Sequence, residues 1–288
     1  MPLIPQADAF FTVDDDTITL KPEYIKEKKW AFKKITGTSF SGVLGFNHYN
    51  SPFQIWMSMV GLYKSVADPI ITKTGQVVET KIQKILPKLL NHKYFCYDPK
   101  EIKYDAFRDN PVFGGIPDAE PTDDGRTFTY EENFPMVEIK TSSIDKFSWT
   151  TKNGELSLNL DSSGLPKVTT NGEGVKRSEW IDKEDNVIVP VEYQFQLSLY
   201  LYLRNAKNGV FVISFLNLED YANPEGWEEK NHEVRMVDFS IKDYEGFVQY
   251  IAYAKNWYEE HVVKGKSPKM TKNDQTWLAQ QLSFLKAN

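Results

Sequence analysis

Two hydrophobic rhythms run along this chain, and the points where one gives way to the other mark its elements. Phe53-Gln-Ile-Trp-Met-Ser-Met-Val60 follows Ser51-Pro52, an N-cap and a first-turn proline, so a helix opens there. Val78, Ile82, Ile85 and Leu89 recur at helical spacing and predict a helix from about Gly75 to Leu90, with Pro87 able to kink it. Glu79 borders that stripe; it can pair with Lys81, Lys84 or another basic group, or project into a site. Met136 to Lys140 is short, carries Val and Ile, and is bounded by Pro135 and Thr141-Ser-Ser143, which predicts a strand. Tyr94-Phe-Cys-Tyr97 reads as a core strand with Cys96 an inert buried thiol. Val191 to Arg204 alternates at Phe195, Leu197, Leu199, Leu201 and Leu203 as a strand would. Its length, its leucines and the lack of β-branched residues after Val191 favour a helix instead. Gln196 and Tyr200 then stack one turn apart. Gly209 to Leu216 predicts a strand, and Lys242 to Lys264 an amphipathic helix stopped by Lys264-Gly-Lys-Ser-Pro268. A short helix from about Gln275 to Leu285 closes the chain.

Two stretches lack either rhythm. Residues 144–186 carry the turn signals Asn153-Gly154, Ser162-Ser-Gly-Leu-Pro166 and Asn171-Gly-Glu-Gly174, which predict one or two hairpins. Lys146, Lys152, Lys167, Lys176 and Arg177 there suit either contact with a DNA backbone or a solvated, mobile insertion. Ile35-Thr-Gly-Thr-Ser-Phe-Ser-Gly-Val-Leu-Gly45 follows a lysine-bearing segment ending in Lys33-Lys34. Its Thr38, Ser39 and Ser41 suit either helix capping or an anion held at a helix N-terminus. The mixture of strands and helices predicts an α/β (α+β) fold with a central mixed sheet flanked by helices. A single domain over 1–288 is expected, with an N-terminal extension of about 1–30, the 144–186 insertion and a helical tail of about 270–288.

Composition narrows the class. At 41% hydrophobic and 14% aromatic residues, 288 positions supply a large core. No apolar run approaches the length of a membrane span, and the N-terminus lacks the basic start and apolar stretch of a signal peptide, so a cytoplasmic protein is expected, in a bacterial or phage-infected cell. One cysteine, Cys96, excludes an internal disulfide framework and Cys-rich metal sites. His48, His92, His232 and His261 lie too far apart for metal-ligand spacing and read as structural or surface residues. A net charge of −6 argues against a broadly basic nucleic-acid coat, though not against a local phosphate site with a metal.

The chemistry concentrates in Gly115-Ile-Pro-Asp118 and, 20 positions after Asp118, Glu138-Ile-Lys140. On a strand Glu138 and Lys140 share one face, opposite Val137 and Ile139. If Asp118 lies on a neighbouring strand, two carboxylates and an amine converge. Mg²⁺ takes oxygen ligands and keeps several waters, so Asp118, Glu138 and the Ile139 carbonyl could hold it while Lys140 stabilises charge on a phosphate. Turn aspartates and surface Glu-x-Lys pairs also arise without function.

Five segments in order change that balance. Ile35-Thr-Gly-Thr-Ser39 with Gly42 to Gly45 and Ser51 to Trp56, Gly75-Gln-Val-Val-Glu79, Gly115-Ile-Pro-Asp118, Glu138-Ile-Lys140 and Gln196-Leu-Ser-Leu-Tyr200 together resemble the PD-(D/E)XK nucleases, specifically the lambda-exonuclease/YqaJ recombinase group. The resemblance implies a restriction-endonuclease-like core. It also implies Mg²⁺ (Mn²⁺ as substitute) on Asp118, Glu138 and Ile139, and Lys140 positioning the attacking water. Glu79, Gln196 and Tyr200 would support the site. Ser39, with Thr38, Ser41, Lys33 and Lys34, would meet a terminal 5′-phosphate. The group carries an arginine where this chain has Phe32; lysine lacks its bidentate fork. The implied activity is 5′ to 3′ digestion of duplex DNA ends, with a single-strand annealing protein as partner and a trimer as oligomer. A structure-specific or restriction-like endonuclease, or a non-catalytic DNA-end-binding protein, are the alternatives.

Overall fold

A computed structural model describes residues 3–64, 67–131, 133–152 and 155–287. A three-stranded mixed sheet organises the molecule: β1 (Met136–Ser143), β2 (Asn208–Leu216) and β3 (Glu233–Ser240). β2 is central, parallel to β1 and antiparallel to β3, with Phe211 opposite Glu138 and Ile213 opposite Lys140. Residues Gly209 to Leu216 are all buried, so β2 reads as a continuous apolar run rather than an alternation.

Helices cover both faces. Those labelled are α1 (Gly37–Val43), α2 (Pro52–Met59), α3 (Pro69–Leu89), α4 (Val191–Arg204) and α5 (Tyr244–Trp257). Val78, Ile82 and Leu86 of α3 pack on Val137, Ile139, Val210 and Val212. Leu197, Tyr200 and Leu201 of α4 pack on Met136, Phe211, Ile213 and Phe215. The pleat therefore sends Val137 and Ile139 to α3, and Glu138 and Lys140 to α4, as the alternation requires. The expected mixed sheet between helices is present, and the ambiguous 191–204 segment is helical. Among the described residues no helix is long and apolar enough to cross a membrane.

Several expectations need correction. Helix α3 starts at Pro69, where Asp68 Oδ1 caps the Ile70 and Ile71 N–H groups. Its first turns are only partly buried, so the apolar stripe understates them. The 94–97 strand shrinks to Tyr94–Phe95 paired with Glu120–Pro121, and residues 94–97 are half-buried rather than core. Helix α5 ends at Trp257, and a wider π-type turn carries the chain through Val263. The first thirty residues are not an appendage. Leu3, Ala7, Phe11, Ile18, Leu20 and Tyr24 join Phe40, Phe53, Trp56, Phe247 and Trp257 in the largest core. The terminal helix (Lys272–Ala287) docks there through Leu278, with Met270 just ahead of it, and Ser51 Oγ donates to Asp274 Oδ1 at 2.5 Å. In the insertion, Trp149–Lys152 pairs with Glu155–Leu158 as a hairpin; the Asn153-Gly154 turn lies outside the described residues. The rest of the insertion is tied down. Trp180 and Ile181 enter the core, and Arg177 donates to both oxygens of Glu233 at 2.6 and 2.8 Å, so it is not free for a phosphate.

Candidate active site

Ala119 and Val137 exchange two backbone hydrogen bonds on the outer edge of β1, at 3.0 and 3.3 Å. Asp118 and Glu138 are thus the adjacent cross-strand pair, in the non-hydrogen-bonded position where side chains come closest. Asp118 Oδ2 accepts from the Ile139 N–H at 2.7 Å. A strand residue turns its N–H and C=O to the same side, so the Ile139 carbonyl faces that edge too. Gln83 Nε2 of α3 donates to the Asp118 carbonyl at 3.1 Å, and one turn earlier Glu79 sits close enough for its charge to act on Asp118 and Glu138.

Glu138 is fully buried. Its Oε1 accepts from Lys140 Nζ and, at 2.5 Å, from Gln196 Nε2, while its Oε2 has no hydrogen-bond partner among the described residues. Lys140 also donates to Gln196 Oε1 at 3.3 Å and lies 4.8 Å from the centroid of the Tyr193 ring. One ammonium thus faces three carboxylates. Burial, then the Asp118 charge, pushes Glu138 up to about 8; burial, then Asp118, pushes Glu79 up to about 7. Burial also raises Asp118, against the pull of Lys140. Burial opposes the Lys140 charge, but Glu138 and Asp118 outweigh it, and its pKa rises. An acidic cluster this short of positive charge suits an added cation. Among the described residues no three His, Cys, Asp or Glu side chains close on one point as a metal cage. Two carboxylates, one unpartnered buried oxygen and a backbone carbonyl instead make the sparse oxygen set that Mg²⁺ accepts.

Tyr200 lies beneath this cluster, buried and stacked on Phe107 at 5.8 Å. Its hydroxyl takes backbone hydrogen bonds at Gly37 and Ile116. A Cβ at Gly37 would come within 2.8 Å of the Tyr200 ring and 2.6 Å of Gln196 Cγ. A Cβ at Gly115, where φ is +120°, would come within 2.6 Å of the Tyr200 hydroxyl. The short parallel ladder of Ile35–Thr36 with Phe113–Gly114 sets these two glycines side by side. Three sequence segments therefore meet at one tyrosine. Packed against Gly37, Gly115 and Gln196, it holds the walls of the site together.

The residues predicted to meet a phosphate fare unevenly. Lys33, Lys34, Thr38 and Ser39 line one open cleft of about 440 Å³ together with Tyr49, Asn50, Glu192, Tyr193 and Gln196. Lys34 Nζ donates to Asp105 Oδ2 at 2.7 Å and to the Phe107 and Arg108 carbonyls at 3.1 Å, which uses all three of its protons. Ser39 Oγ accepts from Thr36 N–H at 2.9 Å and donates to the Thr36 carbonyl at 3.2 Å, so it completes a capping box. Ser41 is fully buried and faces no cleft. Capping thus accounts for Ser39, while the Ser41 hydroxyl has no hydrogen-bond partner among the described residues.

Sequence reading missed Tyr193, Glu192 and a second polar cluster. Glu120, fully buried, takes hydrogen bonds from Tyr97, Tyr130 and both ends of the Arg204 guanidinium, at 2.7 and 2.9 Å from the latter. A signal was available: Glu192, Gln196, Tyr200 and Arg204 recur every four residues, a polar stripe along a leucine-rich helix. Cys96 is half-buried, and burial with the Asp118 and Glu79 charges pushes its thiol up to about 11, leaving it unreactive. His232 bonds Asp220 at 2.9 Å and the Glu228 carbonyl at 2.8 Å, a structural role.

No protein-family model matches the sequence. It is 40% identical over 278 residues to MG373, an uncharacterized protein of Mycoplasma genitalium, covering 96% of this chain and 98% of that one. The MG373 homolog of Mycoplasma pneumoniae is 39% identical over 268 residues, 93% and 94% of the two chains. Among solved structures, the crystal structure of an alkaline exonuclease (LHK-Exo) from Laribacter hongkongensis aligns with a TM-score of 0.47 at 11% identity, covering 92% of this chain and all of that one.

Proposed function

The chain belongs to the family of mycoplasma proteins that includes MG373, and we propose that it is a metal-dependent deoxyribonuclease acting on duplex DNA ends. The observation that carries this reading is the trio of buried Glu138 and half-buried Asp118 and Glu79 around the single amine of Lys140, with Glu138 Oε2 left unpartnered among the described residues. Asp118, Glu138 and the Ile139 carbonyl would hold Mg²⁺ or Mn²⁺. When bound, the cation supplies Lewis acidity toward a phosphate oxygen and lowers the pKa of water. Lys140 brings a fixed positive charge to the phosphate and to the nucleophile. Gln196 holds Glu138 and Lys140 at once, so it keeps the carboxylate and the amine in register. Glu79 approaches from α3 and adds negative charge on the side of Asp118. Tyr193 and Tyr200 wall the site with aromatic surface.

The cleft runs from Gln196, which bonds Lys140, along the Lys33 to Ser39 segment; Asp118, Glu138 and Lys140 themselves do not line it. Attack near an end, with 5′ to 3′ polarity as the specific form, is what the sequence resemblance adds to this reading. The test is digestion of end-labelled linear duplex with Mg²⁺. Wild type releases short products and EDTA stops it. Lys140→Ala and Asp118→Ala each lower the rate by at least about 100-fold. Equal digestion by wild type and both variants would sink the proposal. Cutting of a covalently closed circle would reassign it as an endonuclease.

A further inference from the structure

A chain of net charge −6 gathers positive charge in one place. From Lys21 to Lys34 it carries six lysines against two glutamates, a local net of +4. Two of the six are taken: Lys28 pairs with Glu27 at 2.6 Å and Lys34 with Asp105 at 2.7 Å. Lys21, Lys26 and Lys29 have no ion pair among the described residues, and Lys33 bonds only the neutral Ser58 hydroxyl at 3.3 Å. The short helix Pro22–Lys28 buries Tyr24, whose hydroxyl donates to the Val60 carbonyl at 2.9 Å, and it runs into a tight turn, Lys29–Ala31. Lys26, Lys29 and Trp30 follow at spacings of three and four, so they share the face turned away from Tyr24, and all three are exposed.

Trp30, 85% exposed, is the barest large apolar side chain among the described residues. Single exposed apolar residues are ordinary. This one is held in place, because its Nε1 donates to the Glu27 carbonyl at 2.8 Å. That bond uses the one polar atom of the indole and leaves its rings in water beside unpaired lysines. Ring and cations together fit a nucleic-acid strand, with phosphates on the lysines and a base on the ring. Stacked neighbours cover the base faces inside a duplex, so the ring fits an unpaired strand. A membrane-surface helix sinks a whole apolar face into lipid, and here that face, Tyr24 and Ile25, packs in the protein core. From Trp30 it is three residues, at most about 11 Å of chain, to Lys33 in the cleft that Gln196 joins to Lys140. We propose that Lys26, Lys29 and Trp30 form a binding surface for a single DNA strand that continues out of this cleft. That the strand is DNA rests on the nuclease reading of the Glu138 site; the surface itself rests on charge and exposure.

Binding and cutting test the two separately. Affinity for a labelled oligothymidine of about 20 nucleotides is measured on the full chain in EDTA, which prevents turnover. Trp30→Ala is expected to weaken it about tenfold and Trp30→Phe no more than about threefold, since a phenyl ring still stacks. Lys26→Gln with Lys29→Gln should lower the slope of log affinity against log salt by about 1.4, the share of two single-strand phosphates. A blunt duplex should change by less than about twofold with Trp30→Ala. Wild type that does not bind the strand, strand affinity that Trp30→Ala leaves unchanged, or an equal loss on the duplex overturns the proposal. So does Trp30-dependent binding to phosphatidylserine vesicles in place of the strand. If the strand binds through Trp30 and Mg²⁺ brings no digestion of any DNA, the surface stands and the nuclease reading falls. If Lys140→Ala abolishes digestion while Trp30→Ala leaves strand affinity intact, the nuclease reading stands and the surface falls.

Discussion

Lys33 and Lys34 are neighbours in sequence with opposite fates. Lys34 has three acceptors, two of them main-chain carbonyls of the loop before Gly115, so it pins the N-terminal segment to that loop. Lys33 has a single weak contact and an exposed position. Their substitutions should therefore separate. Lys34→Met leaves Asp105 without its ion pair and two carbonyls without a donor, and should cost about 1–3 kcal/mol of stability. Affinity for DNA should hold within about twofold, since the charge is already neutralised. Lys33→Met should leave the melting temperature unchanged and weaken DNA binding with a smaller salt dependence. Thermal melts and salt-titrated binding read both. A stable Lys34→Met protein that loses DNA affinity would place the phosphate contact on the wrong lysine.

Helix α4 does two jobs along one stripe. Its first half, Glu192 to Gln196, serves the cleft and the carboxylate, and its second half, Tyr200 to Arg204, clamps the Asp118 loop from behind. Arg204 also lies 4.6 Å from the Phe107 ring centroid, so it binds the loop on both sides of Gly115. Arg204→Leu would strand the Glu120 carboxylate in the core with only two tyrosine donors. The expected loss is about 3–5 kcal/mol, and Glu120→Gln/Arg204→Leu together should recover part of it. Gly115→Ala acts on the same clamp by another route. It combines a positive φ with a Cβ 2.6 Å from the Tyr200 hydroxyl, and should cost about 2–4 kcal/mol. Adding Tyr200→Phe removes the nearest clashing atom and should return part of that loss. Denaturant melts of the single and double variants check both pairs, and strict additivity in either would dismiss the clamp.

At the scale of the molecule, legibility followed local physics. Alternation placed Glu138 and Lys140 on one face of β1 before any contact was known, because a pleat needs only the sequence to assign its faces. Leucine content chose the helix at Val191 correctly for a similar reason. Contacts between distant segments were not legible. Nothing near Asp105 announces Lys34, and nothing near Glu120 announces Arg204, 84 positions away. Residues 1–30 looked like an extension because polar and lysine positions dominate the count, while a few apolar ones reach the core. The cluster where all these segments meet sets a pH response for the whole fold. Glu138 moves from an ordinary 4.5 to about 8 on folding, and Glu79 from 4.5 to about 7. Both are raised acids, so the folded protein binds more protons than the unfolded chain in that window. Their contribution to stability is complete below about 4.5 and is lost as pH rises through about 7 and then about 8. A divalent cation bound by the same carboxylates replaces those protons and reverses the loss. Melting temperature in EDTA should fall between about pH 5 and about pH 8, and millimolar Mg²⁺ should raise it at the upper pH but scarcely at the lower. Glu138→Gln keeps the hydrogen bonds of the site without the charge. That variant should flatten most of the pH slope and lose the Mg²⁺ response. A Mg²⁺ shift that is equal at both pH values, or that survives Glu138→Gln, would mean the cation binds somewhere other than between Asp118 and Glu138.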